Sequence, residues 1–325
     1  VGSEMCIRDR VTDTATWGNT VVGTIFTEGA YGYTMQLKNG FDDQPQDGDL
    51  MMGYDLFNNP DTTDVDLVLT GDHSVNVSKY VIDDIVSTRR DCVAFVSPRF
   101  QDVVNNNGYE VTSLQTFRNL FNSSSYAVMD SAWKQQFDKY NNVYRWVPLN
   151  GDIAGLCART DYERDPWWSP AGFNRGGIKN VTQISWNPAQ GDRDDLYKIG
   201  INPVVNFPGE GVVLYGDKTL LSKPSAFDRI NVRRLFIVLE KAISAAAKYS
   251  LFEFNDEFTR AQFVSYVDPY LRDVKGRRGI YDYLVVCDTT NNTPDVIDAN
   301  EFIGDIYIKP ARAINFIQLN FIAVR

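Results

Sequence analysis

The sequence holds a single histidine, His73, in 325 residues. Any Ser-His-Asp or Cys-His device would have to use that one imidazole. It follows Thr70-Gly71-Asp72, in a turn ahead of an apolar helical pattern, a position that fits a capping or surface role. None of the four cysteines stands in a CxxC pair, so neither a zinc ribbon nor a disulfide framework is encoded. Cys92 and Cys287 lie in β-branched runs, where a free thiol behaves as a small buried hydrophobe. There is no dinucleotide fingerprint and no P-loop, hence no phosphate-cradling turn. The apolar run Leu235 to Leu239 falls far short of the roughly 20 residues that a membrane span requires, so stable membrane insertion is not expected.

What is present is an ordinary globular composition, 43% hydrophobic and 23% charged with 13 Pro and 23 Gly. That excludes wholesale disorder, collagen and coiled coil. The formal net charge is -10, and it is unevenly spread: residues 1–196 carry 16 basic and 27 acidic side chains, residues 197–325 carry 16 and 15. An acidic chain is a poor general nucleic-acid binder, because neutralising phosphates requires clustered Lys and Arg. The C-terminal part nonetheless concentrates cations in Arg229-Ile230-Asn231-Val232-Arg233-Arg234 and Lys275-Gly276-Arg277-Arg278-Gly279. These runs read either as solvated faces or as a docking surface for an acidic partner. The aspartates Asp42, Asp43, Asp47, Asp49 and Asp192, Asp194, Asp195 lack the spacing and closing Glu of a calcium loop. No metal, cofactor or catalytic residue is expected.

Val1 to Arg10 matches the translation of a transposase adapter and is set aside as a sequencing artefact; the natural chain is expected to continue upstream. Residues 11–60 are rich in Gly, Thr, Asp and Tyr and read as hairpins and loops. A strand at Val65 to Leu69, a helix at Val75 to Arg89 and a strand at Val93 to Val96 then predict a parallel pair with a crossover. A helix at Val111 to Phe121 and strand-like stretches from Tyr126 and over Val143 to Val147 extend this layer, and Asp152 is a plausible cap for the next helix. Gly176-Gly177 and Asn187-Pro188 mark a boundary near 180–195. Beyond it, Asp228 to Tyr249 carries apolar residues at helical spacing, with a face that must pack on a sheet. A second helix, Asp256 to Val274, has Phe258, Val267, Leu271 and Val274 on a stripe, with Pro269 as a kink or an end. Strands follow at Tyr281 to Val286, Phe302 to Ile308 and Ile314 to Val324. The fold class is α/β (α+β overall): a helix-covered mixed sheet domain over 11–180, then a C-terminal domain over 181–325 with two long helices on a small sheet and a terminal strand arm. An arm this apolar must be paired, since an open edge would aggregate.

The acidic-aromatic run Asp161 to Trp168 raises one chemical alternative, a glycan-binding or glycan-cleaving module, since glycosidases pair carboxylates with sugar-stacking aromatics. Nothing in it singles out an acid and a nucleophile. The segments PWWSPAGFNRGGI (Pro166 to Ile178), INPVVNFPGEGVVLYGDKTL (Ile201 to Leu220), AFDRINVRRLFIVLEKAI (Ala226 to Ile243) and IYIKPARAINFIQLNFIAVR (Ile306 to Arg325), in that order, point elsewhere. They resemble the tail sheath proteins of contractile-tailed bacteriophages. The resemblance implies a structural, non-enzymatic virion subunit, made in the host cytoplasm. It would stack in hexameric rings around the tail tube and contract to drive genome delivery. The implied partners are other copies of itself, the tail tube protein, and baseplate and tail terminator proteins, with no direct nucleic-acid contact. Terminal arms of this family add strands to neighbouring subunits. Carried onto this chain, the arm comprises Ile314, Phe316, Ile317, Leu319, Phe321 and Ile322. On charge alone, Lys275, Arg277 and Arg278 are candidates for a tube-facing surface.

Overall fold

Short β-branched runs form the centre of the protein, whose computed structural model describes residues 45–314. Helix α1 (Asp47–Asp55) leads to strand β1 (Leu67–Leu69). Helix α2 follows in three parts, α-helical Val75–Tyr80, a wider π-helical stretch Val81–Val86 and a last turn Ser87–Arg89. Then come β2 (Val93–Val96), α3 (Phe100–Val103), α4 (Glu110–Arg118), β3 (Ala127–Asp130), β4 (Trp133–Asp138), β5 (Val143–Pro148) and α5 (Asn150–Glu163). Next are β6 (Gln183–Ile184), α6 (Gln190–Lys198), β7 (Ile201–Asn202), β8 (Val204–Phe207) and β9 (Gly211–Leu214). The C-terminal part holds α7 (Ile230–Ala247), α8 (Glu257–Gly276), β10 (Ile280–Val286), α9 (Pro294–Asp298) and β11 (Asp305–Pro310).

The predicted parallel layer is present as a four-stranded sheet in the order β1-β2-β3-β7, with Leu69 opposite Phe95, Phe95 opposite Val128 and Met129 opposite Ile201. Every residue of β2 and β3 is buried, as expected where helices cover both faces. The period of two divides their side chains. Ala94, Val96, Ala127 and Met129 pack with Val77, Val81 and Val86 of α2 and Leu114 and Phe117 of α4. Val93, Phe95 and Val128 point the other way, onto Ile153, Leu156 and Cys157 of α5 and Ile230 and Ile237 of α7.

Several elements differ from the sequence reading. Within the segment read as hairpins, Asp47–Asp55 is helical; residues 11–44 lie outside the described region. Val143 to Val147 does not extend the parallel layer but belongs to a separate antiparallel sheet, β5-β4-β6, with Gln135 opposite Trp146. The cause is the turn at Asn141-Asn142: Asn142 takes φ 55°, the left-handed geometry that folds a chain back into a hairpin. Asp152 is not a cap. Helix α5 begins after Leu149, and Asp152 sits in its first turn, ion-paired to Lys134 at 2.8 Å. The expected boundary near 180–195 falls inside the layered core, because β7 pairs with β3 and because Leu196 of α6, Ile201 and Leu220 fill the same cluster as α2.

Helix α7 is the connecting element. Ile230 and Ile237 face the sheet cluster, whereas Leu235 and Leu239 pack with Phe263, Val267, Leu271 and Val274 of α8. Its apolar surface therefore meets a sheet on one side and a helix on the other. Helix α8 starts at Asp256, whose carboxylate accepts from Thr259 N at 2.8 Å, and runs through Pro269 without ending there. Phe258, expected on its inner stripe, is exposed. Against α8 lies the antiparallel pair β10-β11, with Tyr283 opposite Ile308 and Val285 opposite Ile306. Ile314 is exposed, and the remaining arm positions, Phe316, Ile317, Leu319, Phe321 and Ile322, lie outside the described residues.

Candidate functional site

The first turn of α7 carries cations inward. Arg233 and Arg234 are buried, which removes them from any docking face and overturns the reading of this run as a basic surface. Arg234 reaches α5, donating to both carboxylate oxygens of Asp161 at 2.8 and 2.5 Å. Its planar fork matches a carboxylate with two parallel hydrogen bonds. The Arg233 guanidinium lies over the rings of Tyr126 and Phe227, 4.2 and 4.0 Å from their centroids, and donates to Ser125 Oγ at 2.8 Å. Arg229 pairs with Asp217 at 3.0 Å and also donates to the Tyr197 hydroxyl. Further along α7, Lys241 bridges Asp64 at 2.7 Å and Asp66 at 2.6 Å. Three cations of α7 and the arginine that precedes it thus tie the helix to the layer around the parallel sheet.

The second basic run behaves differently. Lys275 pairs with Asp282 at 2.9 Å, and Arg277 pairs with Asp165 and, at 3.6 Å, with Asp273. Trp167 is buried and donates from Nε1 to the Arg277 carbonyl at 3.1 Å. Gly279 makes this packing possible: a Cβ there would stand 2.8 Å from Val274 Cγ1 and 3.0 Å from the Trp167 ring. Arg278, at φ 67°, lies over Trp168.

These pairings account for the acidic-aromatic run. Asp161 and Asp165 hold Arg234 and Arg277, and Trp167 is a packing residue, so the run presents no pair of carboxylates flanking an open cleft. His73 is exposed, and its neighbour Ser74 caps α2 instead, accepting from Val77 N at 3.3 Å. Burial pushes the Cys92 thiol up to about 12 and that of Cys157 to about 11. Thiolates are the reactive form of cysteine, so these side chains are inert packing groups. Asp130, at the end of β3, is buried, hydrogen-bonded to Ser97 Oγ at 2.5 Å, and raised by desolvation to about 8. Sequence reasoning missed Asp130 and Lys241; for Lys241 the available signal was a lysine that follows the apolar run Leu235 to Leu239 and Glu240 directly.

Two family models match consecutive segments, the phage tail sheath protein central domain over residues 63–220 and the phage tail sheath C-terminal domain over 222–323. The chain belongs to the phage tail sheath family. The tail sheath protein of Vibrio phage KVP40 is 50% identical over 316 residues, covering 91% of this chain and 46% of that protein. That of Enterobacteria phage T4 is 49% identical, covering 85% and 44%. The chain therefore spans about half the length of the curated relatives it matches. In fold it is similar to the sheath of the anti-feeding prophage in its contracted state, with a TM-score of 0.69 at 21% identity, over 86% of this chain and 76% of that one. A second likeness is to the sheath complex of an extracellular contractile injection system, with a TM-score of 0.68 at 19% identity, over 85% and 80%. The α/β architecture is that of contractile sheaths.

Proposed function

We propose that the full-length protein is a structural subunit of a contractile phage tail sheath, polymerising as stacked hexameric rings around a tail tube. Contraction of the stack would drive the tube through the host envelope, with the tube, baseplate and terminator proteins as further partners in the virion. The observation that carries this reading is the match of two sheath domains, in order, across most of the chain. The internal pairing of Asp161 and Asp165 supports it over the glycan alternative, because those carboxylates are occupied in holding the subunit together. Ile314, Phe316, Ile317, Leu319, Phe321 and Ile322 would supply the strand that joins neighbouring copies. Of the basic candidates for a tube-facing surface, Lys275 and Arg277 are engaged within the chain, which directs attention to Arg278.

Negative-stain electron microscopy of the full-length protein tests the assignment. Striated tubes or stacked rings are expected; monomers at every salt and protein concentration, with saturable glycan binding, would overturn it. Deleting Ile314 to Arg325 should abolish polymers and leave a folded monomer.

A further inference from the structure

Three guanidinium groups converge on one half-buried indole. Arg164 after α5, Arg175 in the following loop and Arg278 after α8 lie 5.8, 5.2 and 5.4 Å from the Trp168 ring centroid. Burial, and then the charge of Arg164, hold Arg175 below the usual guanidinium range, with Glu163 acting the other way. Arg159 and Arg277 border the group, and the carboxylates there, Glu163, Asp165 and Asp273, are fewer than the cations. The result is a positive face on a chain of net charge -10.

The other end of α8 is its complement. Between residues 249 and 258 there are three acidic side chains, Glu253, Asp256 and Glu257, and no basic one. Leu251, Phe252, Phe254 and Phe258 are all exposed beside them. Phe252 is fully exposed and takes φ 68°, and Arg278 on the opposite patch takes φ 67°. Left-handed backbone is disfavoured for side chains of this size, and such departures collect at functional surfaces. Both patches thus present a strained, exposed residue. Aromatic rings and carboxylates are also the two groups that guanidinium planes recognise best.

We infer that the acidic aromatic loop 249–258 of one copy docks on the Arg164, Arg175, Arg278 and Trp168 face of a second copy. The patches stand at opposite ends of the 20-residue helix α8, about 30 Å apart, so a single copy cannot bring its own two together. A contact between unlike surfaces is heterologous, and repeated it gives rings or helical stacks. The inference rests on the self-assembly proposed above and names one contact within it.

A charge-swap series in the full-length protein tests this, read by sedimentation and negative stain. R164E/R278E and E253R/E257R should each raise the concentration needed for polymer by about ten-fold or more, and the four changes together should recover most of the loss. The milder R278Q and E253Q should shift it in the same direction if a reversed chain folds poorly. Wild-type assembly by both reversed pairs, no recovery in the combined variant, or no shift in the mild ones would overturn the contact. So would reversed chains that polymerise normally but fail to recruit a tube protein, which would assign the face to the tube. Absence of polymers from the wild-type protein would instead overturn the sheath reading itself.

Discussion

The Arg234–Asp161 pair joins α7 to α5, and its two ends sit in different surroundings. The Arg234 side chain is 6% exposed and that of Asp161 is 33% exposed. Removing the carboxylate in D161A strands a buried guanidinium whose remaining acceptor is the Cys157 carbonyl at 3.5 Å. Leaving a buried charge unpaired costs about 3–5 kcal/mol. Removing the cation in R234M leaves a carboxylate that can turn to water, and methionine refills the volume, so the loss is the charge-assisted hydrogen bonds alone, about 1.5–3 kcal/mol. The double variant R234M/D161A has no stranded charge and should be more stable than D161A alone, a coupling that a double-mutant cycle isolates. Thermal unfolding of the four proteins measures it: D161A should fall by roughly 6–20 °C, at about 2–4 °C per kcal/mol for a domain of this size. If D161A costs no more than R234M, or if the double variant melts below D161A, the burial argument is wrong.

The two carboxylates nearest Lys241 are mostly solvated, with Asp64 and Asp66 side chains 81% and 64% exposed, while the less exposed Asp91 stands farther off at 3.9 Å. K241M should therefore cost only about 1 kcal/mol, and the difference from wild type should shrink in 1 M salt, a dependence that denaturant titration at two ionic strengths would reveal. Asp130 gives a pH signature. Its carboxyl is raised from 3.8 to about 8, so the folded state binds the proton more tightly than the unfolded one. The stability it contributes is fully present below about pH 4 and is lost as pH rises to about 8. D130N should flatten that decline when melting temperature is followed from pH 4 to 9; an unchanged slope would show that another group is responsible. The glycine pair separates two cases that the sequence does not. A Cβ on Gly176 would stand 2.8 Å from the Gly172 nitrogen and oxygen and the Leu214 oxygen, whereas one on Gly177 meets nothing within 4 Å. G176A should lower the melting temperature by several degrees, and G177A should leave it unchanged within about a degree.

The parallel core was legible because its signals are local. The β-branched runs at Val65 to Leu69 and Val93 to Val96, and the apolar spacing of Val77, Val81, Ile82, Ile85 and Val86, each determine one element, and all five helix positions are buried. The antiparallel sheet was not legible, since its hairpin depends on one asparagine accepting a left-handed backbone. Charge was read least well. Arg233 and Arg234 are as cationic in sequence as Arg277 and Arg278, but the first pair sits at the start of α7, which enters between two layers, and the second on the turn that follows α8. Composition cannot separate the two, because the difference lies in whether the fold buries the guanidinium among its partners, as it does Arg233 and Arg234, or leaves it at the surface.

That difference bears on how a subunit assembled as proposed would change a lattice. Parting α7 from the sheet would expose Ile230 and Ile237, at about 1.5–3 kcal/mol each. It would also strand Arg234 from Asp161, at about 3–5 kcal/mol, before Arg233 or Arg229 is considered. The sum approaches the about 5–15 kcal/mol that holds a whole domain folded. Bending at this joint would therefore resemble unfolding more than hinge motion. Exposed pairings of single surface charges are worth about 1 kcal/mol or less each and can be exchanged for others. A sheath built from this subunit would then rearrange by trading contacts between copies, at faces such as the arginine cluster on Trp168, while each copy between Asp64 and Val286 moves as one body.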